Sequence, residues 1–252
     1  MNKILAVIFD FGGVIAEKPY FRPFVDIIAD FLKNKGIYLS SEQKRAIKQI
    51  YEDSRQVALL SMREITLEEI LFEIYTYLGL HFDYKLIKEG YEYFVGQISS
   101  TARQEARDTL KALKDMDIKI GLISNTFTDY PRRALKQFGL LDYFDVITLS
   151  YEVSYRKPSP VIYRSAIDIL GVSPRECLFV ADEIDTDLWG AKNMGLLTAY
   201  IKSDDSWTYW RKKIEEKPVF YSIDFVPDYV IKNLLQVVEI IERLNKVGEN
   251  VS

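Results

Sequence analysis

The chain has 252 residues, 48% hydrophobic and 28% charged, which is the balance of a globular protein long enough for one large domain or a core with a smaller module. Its 33 Lys and Arg against 37 Asp and Glu leave a net charge of −4, which argues against nucleic acid or an anionic membrane as partner. One cysteine excludes a disulfide framework, and a single histidine leaves almost no room for a His-based triad or a His-rich metal site, so carboxylates and lysines must carry any chemistry.

In chain order, the apolar run Ile4 to Phe9 reads as a strand buried on both faces, ending in Asp10 with Gly12 and Gly13 just beyond. An acid at the C-terminal end of such a strand sits where open α/β sheets keep their ligands. From about residue 17 to residue 99 the pattern turns helical. Phe21, Phe24, Val25, Ile28, Phe31 and Leu32 share one face, and Gly36 closes that helix. Ser40 with Gln43 predicts a capping box for a second helix, with Ile47, Ile50, Tyr51 and Val57 inward. Thr66 with Glu69 predicts another for a third, and Asp83 caps a fourth. Four amphipathic helices with short loops suggest an antiparallel bundle. His81 falls between the last two.

From Thr101 strand and helix alternate: a helix through Leu110, a strand Ile118 to Ile123 ending in Ser124-Asn125-Thr126, and a helix with Pro131 in its first turn. A strand Phe144 to Leu149 then leads into Arg156-Lys157-Pro158, and a helix follows to Gly171. A strand Cys177 to Ala181 ends in Asp182 and Glu183, with Asp185 and Asp187 after it, before a strand Leu196 to Ile201. This alternation predicts a parallel sheet with helices on both faces, and Cys177 reads as a small buried hydrophobe. Residues 203–218, with Trp207, Trp210 and Arg211-Lys212-Lys213, read as a surface excursion with a solvated charged face. A short strand near Tyr229 and a closing helix from Leu234 to Leu244 complete the chain. No apolar stretch reaches membrane-span length and the N-terminus enters a strand directly, so a cytoplasmic location is expected.

Asp10, Ser124, Lys157 and Asp182 thus fall at or just beyond strand ends. Each alone has a plainer reading, since a Ser after a strand often caps a helix and a Lys is usually solvated. In the order VIFDFGGVI, GLISNT, EVSYRKPSPVIY and FVADEIDTDLWGAKNMG, they resemble the four motifs of the haloacid dehalogenase (HAD) superfamily over nearly the whole chain. The resemblance implies a Rossmann-like parallel core over residues 1–16 and 100–252, and an inserted four-helix-bundle cap of the C1 type over 17–99.

It also implies a Mg²⁺-dependent phosphatase acting on a small phosphorylated molecule through an aspartyl-phosphate. Asp10 would be the nucleophile. Asp10, Asp182, Asp187 and the Gly12 carbonyl would hold the metal, while Ser124, Asn125 and Lys157 would hold the phosphoryl group. Glu183 and Asp185 stay open between metal ligands and acids favoured at a helix start. A monomer or homodimer is expected, with neither nucleic acid nor membrane as partner. One position departs from the family pattern: most of its phosphatases carry an aspartate two residues after the nucleophile as general acid, and this chain has Gly12. Losing such a group costs on the order of 10²–10⁴ in rate. Two alternatives therefore stand beside the phosphatase: a 2-haloacid dehalogenase using the same Asp nucleophile, for which the segment 182–187 is unusually acidic, and a non-catalytic binding protein of the same fold.

Overall fold

A computed structural model describes residues 3–80, 83–202 and 225–249. His81 and the segment 203–218, singled out above, lie outside the described residues. Six strands form one all-parallel sheet in the order β3-β2-β1-β4-β5-β6: β1 (Ala6–Phe9), β2 (Lys119–Ser124), β3 (Val146–Leu149), β4 (Cys177–Ala181), β5 (Leu197–Ile201) and β6 (Tyr229–Ile231). The chain builds outward from β1 to β3, then crosses to the opposite side of β1 for β4. The reversal therefore opens a crevice at the carboxyl end of β1, where open parallel sheets place their ligands.

β1 is buried throughout because helices cover both its faces. Val7 and Phe9 join the layer that contains α5 (Ala106–Asp115) and the closing helix α10 (Leu235–Glu249). Ala6 and Ile8 face the other layer, with Ile162, Tyr163 and Ile167 of α8 (Pro160–Leu170) and with Ala191 of α9 (Trp189–Asn193). Burial of this kind is worth about 25 cal/mol per Å² of apolar surface, so the central strand is firmly anchored. Ile4 belongs to the predicted strand but not the observed one. Its amide N–H donates to Oδ1 of Asn245 at 2.7 Å and its carbonyl accepts from Nδ2, which ties it to α10.

The helical stretch holds α1 (Phe24–Asn34), α2 (Ser41–Ser61), α3 (Leu67–Tyr77) and α4 (Tyr84–Val95). α1 packs on α2 and α4, and α3 packs on α2 and α4. Both predicted capping boxes form, at Ser40 with Gln43 and at Thr66 with Glu69. Two expectations fail here. Phe21 stands outside α1, because Pro23 takes the N-cap position and holds the preceding residues extended. Val57 is 52% exposed rather than inward. α2 turns its narrow buried stripe, Ile47, Ser54 and Ala58, toward its neighbours, and Val57 lies off that stripe.

Helices and sheet meet through Phe127, which follows β2. Its ring packs against Phe21, Tyr51 and Phe94, with the Arg55 guanidinium 4.7 Å above it. Among the described residues no helix is long and apolar enough to cross a membrane.

Candidate active site

The carboxyl end of β1 carries the reactive group. Asp10 N–H donates to the Val180 carbonyl at 2.9 Å, which continues the sheet pairing one residue past β1 and places the side chain beside the end of β4. Beyond it the chain curls tightly: the Phe11 carbonyl accepts from the N–H groups of Ile15 and Ala16, both at 3.0 Å. Gly13 makes that curl possible. It has φ +80°, and a Cβ there would lie 2.2 Å from Oδ2 of Asp182. Gly13→Ala is therefore expected to destabilise the fold by roughly 1–3 kcal/mol. Gly12→Ala should cost less, because its Cβ would meet Cδ of Pro19 at 3.2 Å and Cα of Lys18 at 4.0 Å, with no strained φ. Urea unfolding of the two variants checks the order, and equal losses would refute it.

Lys157 reaches Asp10 from the loop before α8. Its Nζ donates to Oδ1 of Asp10 at 2.6 Å, to Oδ2 of Asp187 at 2.5 Å and to the Ile123 carbonyl at 3.3 Å, so all three ammonium hydrogens are used. The ammonium is almost wholly buried. Burial alone would lower its pKa, but Asp10 and then Asp187 more than reverse this and hold it above the usual lysine range. The loop is fixed by Asn125, whose Oδ1 accepts from Lys157 N–H at 2.7 Å and whose Nδ2 donates to its carbonyl at 3.1 Å. Asn125, expected to bind substrate, lines the cleft and also positions Lys157. Ser124 ends β2 and lines the same cleft as Asp10 and Lys157.

The acids at the end of β4 lie beside this pair. Burial raises Asp10, opposed by Lys157 and reinforced by the charge of Asp182. Asp187 is also raised, first by burial, despite Lys157. Burial pushes Asp182 up to about 6, against the ammonium of Lys18. A π-helical turn, Ile184–Leu188, brings Asp187 inward. Its backbone carbonyl accepts from the Tyr163 hydroxyl at 2.7 Å, and Oδ1 accepts from Thr186 Oγ1 at 2.8 Å.

Among the described residues, no three His, Cys, Asp or Glu side chains already converge as a metal cage. The reason is visible in the pairing: Lys157 stands between Asp10 and Asp187, and Lys18 Nζ lies 3.1 Å from Oδ2 of Asp182. One observation nevertheless suits a hard cation. Both carboxylate oxygens of Asp182 are buried without a well-aligned hydrogen bond, next to Asp10. Mg²⁺ needs only one or two carboxylates with water and substrate oxygens, so Asp10 and Asp182 are a sufficient protein contribution.

Asp10, Ser124, Lys157 and Asp187 line a cleft of about 350 Å³ between the sheet end and the helical stretch, walled by Phe11, Gly12, Phe21, Leu59 and Phe127 among others, while the carboxylate oxygens of Asp182 are buried. Glu183 and Asp187 line it, whereas Asp185 is not among its lining residues. Sequence reasoning missed Lys18, which carries no local signal of its role, and Tyr163, Thr186 and Arg156, which stand inside the quoted motifs without a signal that separates them from their neighbours.

The sequence profile of the haloacid dehalogenase-like hydrolases matches residues 4–195, and a second profile of HAD-like hydrolases matches 154–237. A glyceraldehyde 3-phosphate phosphatase of Pyrococcus furiosus is 31% identical over 140 residues, covering 56% of this chain and 54% of that protein. Pyrophosphatase PpaX of Bacillus cereus is 25% identical over 245 residues, covering 97% of this chain and 99% of that one. The chain spans about half the length of several of the curated relatives it matches. A solved 2-haloacid dehalogenase from Pseudomonas syringae pv. Tomato DC3000 shares the fold, with a TM-score of 0.67 at 20% identity over 95% of this chain and 99% of that one. With residues 4–195 inside the profile, this chain belongs to the haloacid dehalogenase-like hydrolase family.

Proposed function

We propose that the protein is a Mg²⁺-dependent phosphatase that removes the phosphoryl group from a small phosphate ester through an aspartyl-phosphate on Asp10. The observation that carries this over its alternatives is the buried Asp182 carboxylate, which has no well-aligned hydrogen bond and lies beside Asp10. Attack on a haloalkane carbon needs no such acid, and burying one there only raises the cost of an ionised nucleophile. The phosphatase and pyrophosphatase names of the relatives agree with the reading.

Oδ1 of Asp10 is committed to Lys157, which leaves Oδ2 to attack phosphorus. The new Asp10–phosphorus bond forms as the ester P–O bond breaks, and the alcohol oxygen takes its proton from solvent. Water then attacks the same phosphorus, releasing inorganic phosphate and regenerating the carboxylate. Lys157 holds positive charge beside the transferring group throughout, and Ser124 offers a hydroxyl to its oxygens. Asp10, Asp182, Asp187 and the Gly12 carbonyl would hold Mg²⁺, which supplies charge neutralisation that lets an anionic nucleophile meet an anionic ester.

Residues 17–99 act as the cap over a core of residues 1–16 and 100–252, excluding water from the cleft. No acid stands two residues after Asp10, and Pro19 packs against the position where its side chain would start. Esters with good leaving groups, which need little protonation, are therefore favoured. A panel of phosphate esters and 2-haloacids, each with Mg²⁺ and with EDTA, tests the reading. Phosphate release abolished by EDTA is expected. Halide release indifferent to EDTA, or no turnover of either class, would overturn it.

A further inference from the structure

Among the described residues, two cations lining the cleft, Lys18 and Arg156, take no part in the reaction above, and Arg156 is the one without a carboxylate within 3.5 Å. Arg156 precedes Lys157, and its side chain lines the cleft wall with Phe21, Leu59 and Phe127. That side chain is 18% exposed, and its Nε is fully buried with no hydrogen-bond partner. The nearest carboxylate is that of Glu64, 3.8 Å from Nη1. Glu64 is already engaged: Oε1 accepts from Arg55 Nη1 at 2.9 Å and Oε2 accepts from the Ser150 hydroxyl at 2.7 Å. The trio of Arg55, Arg156 and Glu64 thus carries two positive charges and one negative, with Glu64 fully buried.

A desolvated charge without a close partner is costly. The other two cations on the wall differ, since Lys18 and Lys157 each face two carboxylates within 3.5 Å. Arg156 is also firmly carried. Its N–H donates to the Met62 carbonyl at 3.0 Å, and Glu64 N–H donates to the Ser154 carbonyl at 2.9 Å. A fixed guanidinium is a preorganised fork for a planar or tetrahedral anion.

We propose that Arg156 binds a second anionic group of the substrate, a carboxylate or a further phosphate, distinct from the phosphoryl group that reaches Asp10. This rests on the phosphatase reading and narrows it: the substrate class becomes small phosphate esters carrying a second negative charge. Arg156 is then a specificity-determining residue and Glu64 a positioning residue that orients it.

The test compares n-propyl phosphate, 2-carboxyethyl phosphate and ethylene glycol bisphosphate with the Mg²⁺-loaded enzyme. The wild type should prefer at least one of the doubly charged esters in kcat/KM, and which one identifies the anion as carboxylate or phosphate. Arg156→Gln should cut that preference ratio on the order of 10–100-fold, as loss of a charged hydrogen-bonding partner does, and Arg156→Lys should restore part of it. A ratio that does not move overturns the proposal, because a purely structural role, or contact with the transferred phosphoryl group, lowers all three esters alike. Calorimetric titration of 2-carboxyethylphosphonate, 1,2-ethylenediphosphonate and propylphosphonate judges the site independently of turnover. If none of these three alkyl esters is hydrolysed, the phosphatase reading is judged by the wider ester panel above, and preferential binding of a doubly charged phosphonate that is lost in Arg156→Gln still supports the subsite. No such preference in the wild type overturns it.

Discussion

Lys157→Met destabilises the protein by roughly 3–5 kcal/mol and abolishes turnover. Methionine matches the length of the side chain but leaves Asp10 and Asp187 buried side by side without the ammonium that now lies 2.6 Å and 2.5 Å from them. Breaking a buried pair from one side costs this much because the remaining charge cannot return to water. The deficit depends on pH with a definite sign. Both carboxyl groups are already raised by burial even with Lys157 present, and removing its charge raises them further. The folded variant therefore binds protons more readily than the unfolded chain. Its stability rises as pH falls through the raised range and drops as pH climbs above it. Denaturant unfolding at pH 5.5 and 8 measures this. A deficit that is the same at both values would show that charge burial is not the cause.

Asp10→Asn should lower phosphate release on the order of 10⁴-fold or more, the scale on which nucleophile loss acts in covalent catalysis. The amide matches the carboxylate in shape and cannot form the acyl-phosphate linkage. Stability should move the other way. The folded environment disfavours the ionised form of Asp10, through burial and then the neighbouring charge of Asp182. A neutral isostere relieves that cost, and Lys157 keeps Asp187 as partner. The variant should melt at or above the wild-type temperature in metal-free buffer while being inactive. This is the trade expected where a site holds like charges together for function. Retention of a tenth or more of the activity would remove Asp10 from the role of nucleophile.

Much of the architecture could be read along the chain because it rests on local rules. Runs such as Cys177 to Ala181 are strands because uninterrupted apolar residues suit a sheet covered on both faces, and this one forms with the predicted bounds. Ser40 and Thr66 start their helices because a side-chain oxygen satisfies amides that the helix leaves unpaired. Where neighbours distant in sequence intervene, local reading failed. Ile4 was drawn out of β1 by Asn245, 241 residues away. Val57 was left exposed because only a narrow stripe of α2 meets other helices.

The sequence by itself determined the alternation of strands and helices, the helical stretch between the first two strands, and the placing of Asp10, Ser124, Lys157 and Asp182 at or near strand ends. Each follows from residue type and spacing within a short window. Only the tertiary structure decided how those groups are paired and buried. It showed Asn125 clamping the backbone of Lys157 at the wall of the cleft. It set Lys18 against Asp182 and left Glu64 shared between two arginines. The reason is physical. Charge pairing and burial depend on distances between segments far apart in the chain, and at a few ångströms in a dry interior those distances decide which group is ionised, which is satisfied and which is left to meet a ligand.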